Sequence, residues 1–212
     1  MIKRVAFDLD GTLVDSERLY LTANAWAAAQ LGKTIAPEAF LPLVGAAEPD
    51  VLAFLSAHFA PADQQRFVRM SQEYVTHRVD TVGPPELVGA DELLHQLQEA
   101  GLGLSIVSSN HRDYVQRVLA KLNWQAYFDV VITFEDISQP KPASEAYQRL
   151  LTKTGLNPDE VVAVEDSPIG VAAAVAAGLP TIQLADLLPP SQLATVQLDY
   201  LAAIWPWLQP RL

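Results

Sequence analysis

The chain contains no cysteine. That single absence excludes a disulfide framework, thiolate catalysis and cysteine-ligated zinc. Basic residues are scarce: 14 Lys plus Arg stand against 25 Asp plus Glu, for a net charge of −11. Nucleic acids and anionic membrane surfaces both need a basic face, so neither is expected as a partner. Any anionic ligand would have to be caught by local cations. Long apolar runs are also missing, and none approaches the roughly 20 residues of a membrane span. The N-terminus runs straight into a strand pattern, which leaves no room for a signal peptide and leads us to expect a cytoplasmic protein.

What is present is a globular composition. Half of the 212 residues are apolar and 18% are charged, enough for one sizeable core or a core with a smaller insert. Apolar runs at 3–7, 104–107, 130–134, 161–164 and 181–184 read as strands. Between the later ones, residues 90–99, 113–122, 144–154 and 167–177 carry apolar positions at helical spacing. Pro168 near the start of the last stretch and Gly178 just beyond it fit a helix beginning and end. Strands alternating with helices of this length predict a Rossmann-like α/β core, with a parallel sheet covered on both faces.

One segment breaks the alternation. Residues 19–31, 37–43, 50–59 and 62–79 are helical by pattern, and Gly83-Pro84-Pro85 closes the series. The expected division is therefore a core of residues 1–15 and 86–212 and a small all-α insert, 16–85, after the first strand. An insert there would serve as a lid over that strand's carboxyl end. After Pro189 we expect short helical turns packed by Trp205 and Trp207.

The polar residues that could carry chemistry follow the strands. Asp8 and Asp10 leave the first strand into a turn at Gly11. Ser108, Ser109 and Asn110 follow the second, and Lys141 precedes the helix near Ser144. Glu165 and Asp166 end the fourth strand. In an open parallel sheet these carboxyl edges form one rim, where ligands bind. Like charges held together require a proton or a metal between them. Hard carboxylate oxygens suit Mg²⁺, a carboxylate can accept a phosphoryl group, and lysine with N–H donors can offset phosphoryl charge. Each residue also has a local alternative. Asp10 could cap the turn before Gly11, and Ser108 and Ser109 could cap the next helix. Lys141 could be a solvated surface lysine, Asp166 could cap the Ser167 helix, and Glu165 could be a solvated end-of-strand charge. His58, His77 and His95 read as surface residues, and His111 as a helix-start residue.

Asp8-Leu9-Asp10-Gly11-Thr12, the apolar run ending at Ser108, Lys141 and the Glu165-Asp166 pair together resemble the four ordered motifs of the haloacid dehalogenase superfamily. The helical insert resembles that superfamily's C1 cap. Within it, the chain looks most like the branch of β-phosphoglucomutase, phosphoglycolate phosphatase and 6-phosphogluconate phosphatase. The resemblance implies that Asp8 is the nucleophile and Asp10 the acid and base. Ser108 and Ser109 would hold phosphoryl oxygens, with Lys141 neutralising both nucleophile and phosphoryl group. Mg²⁺ would sit on Asp8, Asp10 (through its carbonyl) and Asp166, with Glu165 orienting rather than coordinating. The implied partner is a small phosphorylated metabolite, and the expected assembly a monomer or weak dimer.

Departures from the family pattern separate the branches. Dehalogenases lack the second aspartate, which is present here as Asp10. Lys33, the sole lysine between Ser16 and Pro84, sits in a turn and suits no Schiff base. Tyr20 stands where β-phosphoglucomutase has a cap histidine. The loop that carries an arginine in that enzyme reads Gly45-Ala46-Ala47-Glu48, and glutamate there would repel a second phosphate. Hydrolysis is thus expected over mutation. A phosphosugar mutase and a non-catalytic phosphate-binding protein of the same fold remain the alternatives.

Overall fold

A computed structural model describes residues 1–46, 48–184 and 186–212. Ala47 and the Glu48 side chain, on which part of the cap-loop reading falls, lie outside the described residues. The chain forms two compact units, Met1–Asp15 with Glu86–Leu212, and Ser16–Pro85.

The first unit is built on a parallel sheet of β1 (Arg4–Phe7), β2 (Gly103–Val107), β3 (Val130–Ile132), β4 (Val161–Glu165), β5 (Thr181–Leu184) and β6 (Val196–Leu198). Their order is β3-β2-β1-β4-β5-β6. Every pair is parallel. β1 and β4 are buried along their whole length, as expected for strands covered on both faces. The order reverses at β1, whose neighbours are β2 and β4, and such a switch point opens a crevice at the strands' carboxyl ends.

The second unit is helical: α1 (Ser16–Gln30), α2 (Glu48–His58), α3 (Pro61–Thr81) and a 3₁₀ stretch, Pro37–Leu43. Its interior is aromatic. Phe40 stacks on Phe67 at 5.8 Å and Phe59 meets Phe67 at 4.4 Å between ring centroids. A buried hydrogen bond from Ser71 Oγ to Asn24 Oδ1, 2.6 Å, ties α3 to α1. In the first unit, the Leu87 amide donates to the Leu13 carbonyl at 3.0 Å, so the chain re-enters beside the point where it left.

The remaining helices are α4 (Ala90–Glu99), α5 (Arg112–Lys121), α6 (Glu145–Thr154), α7 (Pro168–Ala176) and α8 (Ile204–Leu208). α4 buries Leu93, Leu94 and Leu97, α5 buries Val115, Val118 and Leu119, and α6 buries Ala146, Tyr147 and Leu150. Among the described residues, no helix is long and apolar enough to cross a membrane.

Two expectations need correction. The third strand stops at Ile132, because Thr133 and Asp136 form a reciprocal capping box that starts a 3₁₀ turn at Phe134. The tail is not helical turns alone, since β6 pairs with β5 before them. There Leu201, Ile204 and Leu208 are the buried residues, while Trp205 and Trp207 are half-buried.

Candidate active site

The register of the sheet brings the acidic residues together. Phe7 is level with Val164 on β4 and with Ile106 on β2. The next residue along β1 is Asp8, whose amide donates to the Val164 carbonyl at 2.9 Å. Asp8 therefore emerges beside Glu165 on one side and the end of β2 on the other.

Lys141 joins these segments. Its Nζ donates to Asp8 Oδ1 at 2.7 Å, to Glu165 Oε1 at 2.6 Å and to the Val107 carbonyl at 2.8 Å. It is buried, not a solvated surface lysine. Burial alone would depress its ammonium, but the Asp8 and Glu165 charges outweigh that and hold the pKa above its ordinary value. Burial, reinforced by the Asp8 charge and opposed by Lys141, pushes Glu165 up to about 7.

Asp8, Glu165 and Asp166 can each present a carboxylate oxygen, all within 4.8 Å of one another, and all three residues are buried. Three negative charges face the ammonium of Lys141, which leaves about two uncompensated when all are ionised. Glu165 Oε2 is buried without a hydrogen-bond partner among the described residues. Buried unpaired carboxylate oxygen is costly, and hard oxygen donors with this charge fit a divalent cation such as Mg²⁺. The backbone makes room for the cluster at two glycines. Gly11 has φ +79°, and a Cβ there would lie 2.3 Å from Asp166 Oδ2; at Gly170 it would lie 1.8 Å from Glu165 Oε2.

Asp10 lies one turn further. Its carboxylate accepts from Asn110 Nδ2 at 2.7 Å and from the Tyr114 hydroxyl at 2.9 Å. Ser108 is buried at the end of β2, and its Oγ accepts from the Asn110 amide at 3.1 Å. Ser109 is exposed on the same loop. His111 occupies the N-cap position of α5, so neither serine caps that helix. Ser167 caps α7 by accepting from the Gly170 amide at 3.0 Å, which frees the Asp166 side chain from that task.

Sequence reasoning missed Tyr114 and Tyr147 at this site, and the role of Asn110 as a partner of Asp10. Asn110 and Tyr114 hold the Asp10 carboxylate, and the Tyr147 hydroxyl donates to Glu165 Oε1 at 2.5 Å. Asn110 was visible as a polar neighbour of Ser108. Tyr147 had the signature of a core position on α6 and nothing more. The histidines stand as read: His58, His77 and His95 are exposed, and His111 pairs with Glu135 at 2.8 Å on the surface.

A family profile described as haloacid dehalogenase-like hydrolase matches residues 5–184. This chain belongs to the haloacid dehalogenase-like hydrolases. Curated relatives within reach include the validoxylamine A 7'-phosphate phosphatase of Streptomyces hygroscopicus subsp. limoneus, 30% identical over 99% of this chain and 100% of that one. Hexitol phosphatase A of Escherichia coli is 35% identical over 83% and 80%. Among solved structures, CbbY from Rhodobacter sphaeroides in complex with phosphate matches with a TM-score of 0.81 at 24% identity, covering 96% of each chain. That likeness establishes the shared fold.

Proposed function

We propose that this hydrolase is a Mg²⁺-dependent phosphatase acting on a small phosphate monoester, a sugar phosphate or a phosphorylated hydroxy acid, through an aspartyl-phosphate on Asp8. The observation that carries the reading is the bridge Asp8–Lys141–Glu165, with Asp166 alongside, at the carboxyl edge of the sheet. The phosphatase names of its relatives support the same reaction class.

In the proposed reaction a carboxylate oxygen of Asp8 attacks phosphorus while the bond to the ester oxygen breaks. Protonated Asp10 gives its proton to the departing alkoxide. Water then attacks the phosphoryl group on Asp8, Asp10 takes a proton from that water, and inorganic phosphate leaves with Asp8 restored. Lys141 stays charged throughout, countering Asp8 before transfer and the phosphoryl oxygens during it. Ser108 and the Ser109 amide would hold those oxygens in place. Asp8 and Asp166, with Glu165 beside them and the Asp10 carbonyl that the family pattern implies, would hold Mg²⁺, whose charge would supply stabilisation of the transferring phosphoryl group.

Hydrolysis is favoured over phosphosugar mutation by the cap sequence, where Tyr20 and Glu48 stand at positions that a mutase fills with histidine and arginine. The test is release of 4-nitrophenol from 4-nitrophenyl phosphate with Mg²⁺ and with EDTA. Metal-dependent release that Asp8→Asn abolishes is expected. No release by wild type would leave a phosphate-binding protein, and release by Asp8→Asn would reject the covalent route. A phosphometabolite panel that includes β-glucose 1-phosphate then identifies the substrate and detects any mutase activity.

A further inference from the structure

Glu165 has an asymmetric carboxylate. Oε1 is saturated, accepting from Lys141 Nζ at 2.6 Å and from the Tyr147 hydroxyl at 2.5 Å. Oε2 has no hydrogen-bond partner among the described residues, although it is buried. The backbone of Gly170 closes the third side, so tightly that a Cβ would come within 1.8 Å of Oε2. Tyr147 is itself fully buried, and its ring lies 5.5 Å from Lys141 Nζ. A hydroxyl placed this deep, on the oxygen already held by lysine, is not needed for packing, since a phenyl ring would fill the same space.

We propose that Tyr147 is a positioning residue for the metal site: by anchoring Oε1 together with Lys141, it fixes the rotation of the Glu165 carboxylate within the acidic cluster that Glu165 forms with Asp8 and Asp166. This rests on the metal-dependent reading above and deepens it. Two donors on one oxygen resist rotation about the terminal side-chain torsion, which is otherwise soft in glutamate. Lys141 alone would not do this, because it must also serve Asp8 and the Val107 carbonyl. Groups that hold a ligand in this way characteristically change metal affinity on the order of 10–100-fold when removed.

The experiment is calorimetric titration of purified wild type and Tyr147→Phe with Mg²⁺, alongside steady-state kinetics at varied Mg²⁺. Tyr147→Phe should weaken Mg²⁺ binding on the order of tenfold or more. Its kcat should return toward wild type at saturating Mg²⁺, with KM for the phosphate ester unchanged. In a Glu165→Gln background the same substitution should have no further effect, because Tyr147 acts through Glu165. Wild-type Mg²⁺ affinity in folded Tyr147→Phe would overturn the proposal, as would a loss of melting temperature alone. Should Tyr147→Phe not fold, wild type decides: Mg²⁺ should perturb its near-ultraviolet tyrosine absorption and should not perturb that of Glu165→Gln, and an unperturbed wild-type spectrum overturns the assignment. Calorimetry needs no turnover, so failure here is separate from failure of the phosphatase reading, which the 4-nitrophenyl phosphate assay tests.

Discussion

Lys141 reaches Asp8 across the fold, its Nζ 2.7 Å from Oδ1 and both side chains buried. In the proposed reaction this pair is the neutralised nucleophile, and the same ammonium also holds Glu165. Lys141→Ala removes the counter-charge from two buried carboxylates at once. Turnover of 4-nitrophenyl phosphate should fall on the order of 10²–10³-fold, the scale of losing one electrostatic stabiliser. In EDTA the fold should lose about 3–5 kcal/mol, the cost of breaking a buried ion pair. Urea denaturation and initial rates measure both. Unchanged rates would reduce Lys141 to a structural tie.

The Asp10 carboxylate is gripped from α5 and the loop before it, by Tyr114 and Asn110. If Asp10 protonates the leaving oxygen, its geometry matters most when that oxygen is a poor leaving group. Asn110→Ala and Tyr114→Phe should each slow an alkyl phosphate about tenfold, toward the low end of what a placed acid contributes. The loss on 4-nitrophenyl phosphate should be much smaller. Equal losses on both esters would place these residues in binding, not in acid catalysis.

At the far end of β1, the Arg4 guanidinium clasps Asp129 through Nη1 and Nη2, at 2.5 and 2.7 Å. These hydrogen bonds outweigh burial and hold the Asp129 carboxyl below its ordinary value. A depressed folded-state pKa stabilises the protein above the unfolded value near about 3.9. That contribution disappears as pH falls through the folded value. The Asp129 side chain is 59% exposed, so solvent screening limits the contribution to about 1 kcal/mol or less. Asp129→Asn should therefore destabilise the protein near neutrality and match wild type once the pH has fallen below the lowered folded value, by urea titration at each pH. A constant difference across that range would reject the assignment.

Much of this architecture was legible because the acidic and serine motifs close strands, with Lys141 in the loop after β3. β1, β2, β4 and β5 are apolar runs buried on both faces, and parallel strands deliver their last residues to one edge. The acidic pair, the serine and the lysine could be placed on that edge by order alone. β6 could not, since its three residues are half-buried or exposed and follow Pro189-Pro190. Phe134 extended the apparent third strand because apolar runs do not mark their own end, yet it is 47% exposed in a 3₁₀ turn. Tyr147 and Tyr114, and the Asp10 partnership of Asn110, were illegible for another reason. The partners of these residues lie 18, 104 and 100 residues away in sequence, and only the tertiary fold shows which face of a helix meets a carboxylate.

Gly170 and Glu165 set the last prediction. The residue begins the second half of the first turn of α7, and its amide donates to the Ser167 cap. A methyl group there would sit 1.8 Å from Oε2 and 2.5 Å from Oε1 of Glu165. A free carboxylate would swing aside, but this one is held by Lys141 and Tyr147. The clash must therefore be met by moving α7 or by tearing Glu165 from its donors. Alanine is ordinarily better than glycine in a helix by about 1 kcal/mol, so a neutral site would gain stability. Here Gly170→Ala should instead lose about 1–3 kcal/mol, the range for overpacking, and lower the melting temperature by about 3–10 °C. On the proposed metal site, Mg²⁺ should also raise its melting temperature less than it raises that of wild type, because a displaced Glu165 carboxylate would leave the cluster with Asp8 and Asp166. A variant as stable as wild type and equally protected by Mg²⁺ would mean that the wall behind Glu165 yields freely, and Oε2 would then owe its direction to something other than the packing of α7.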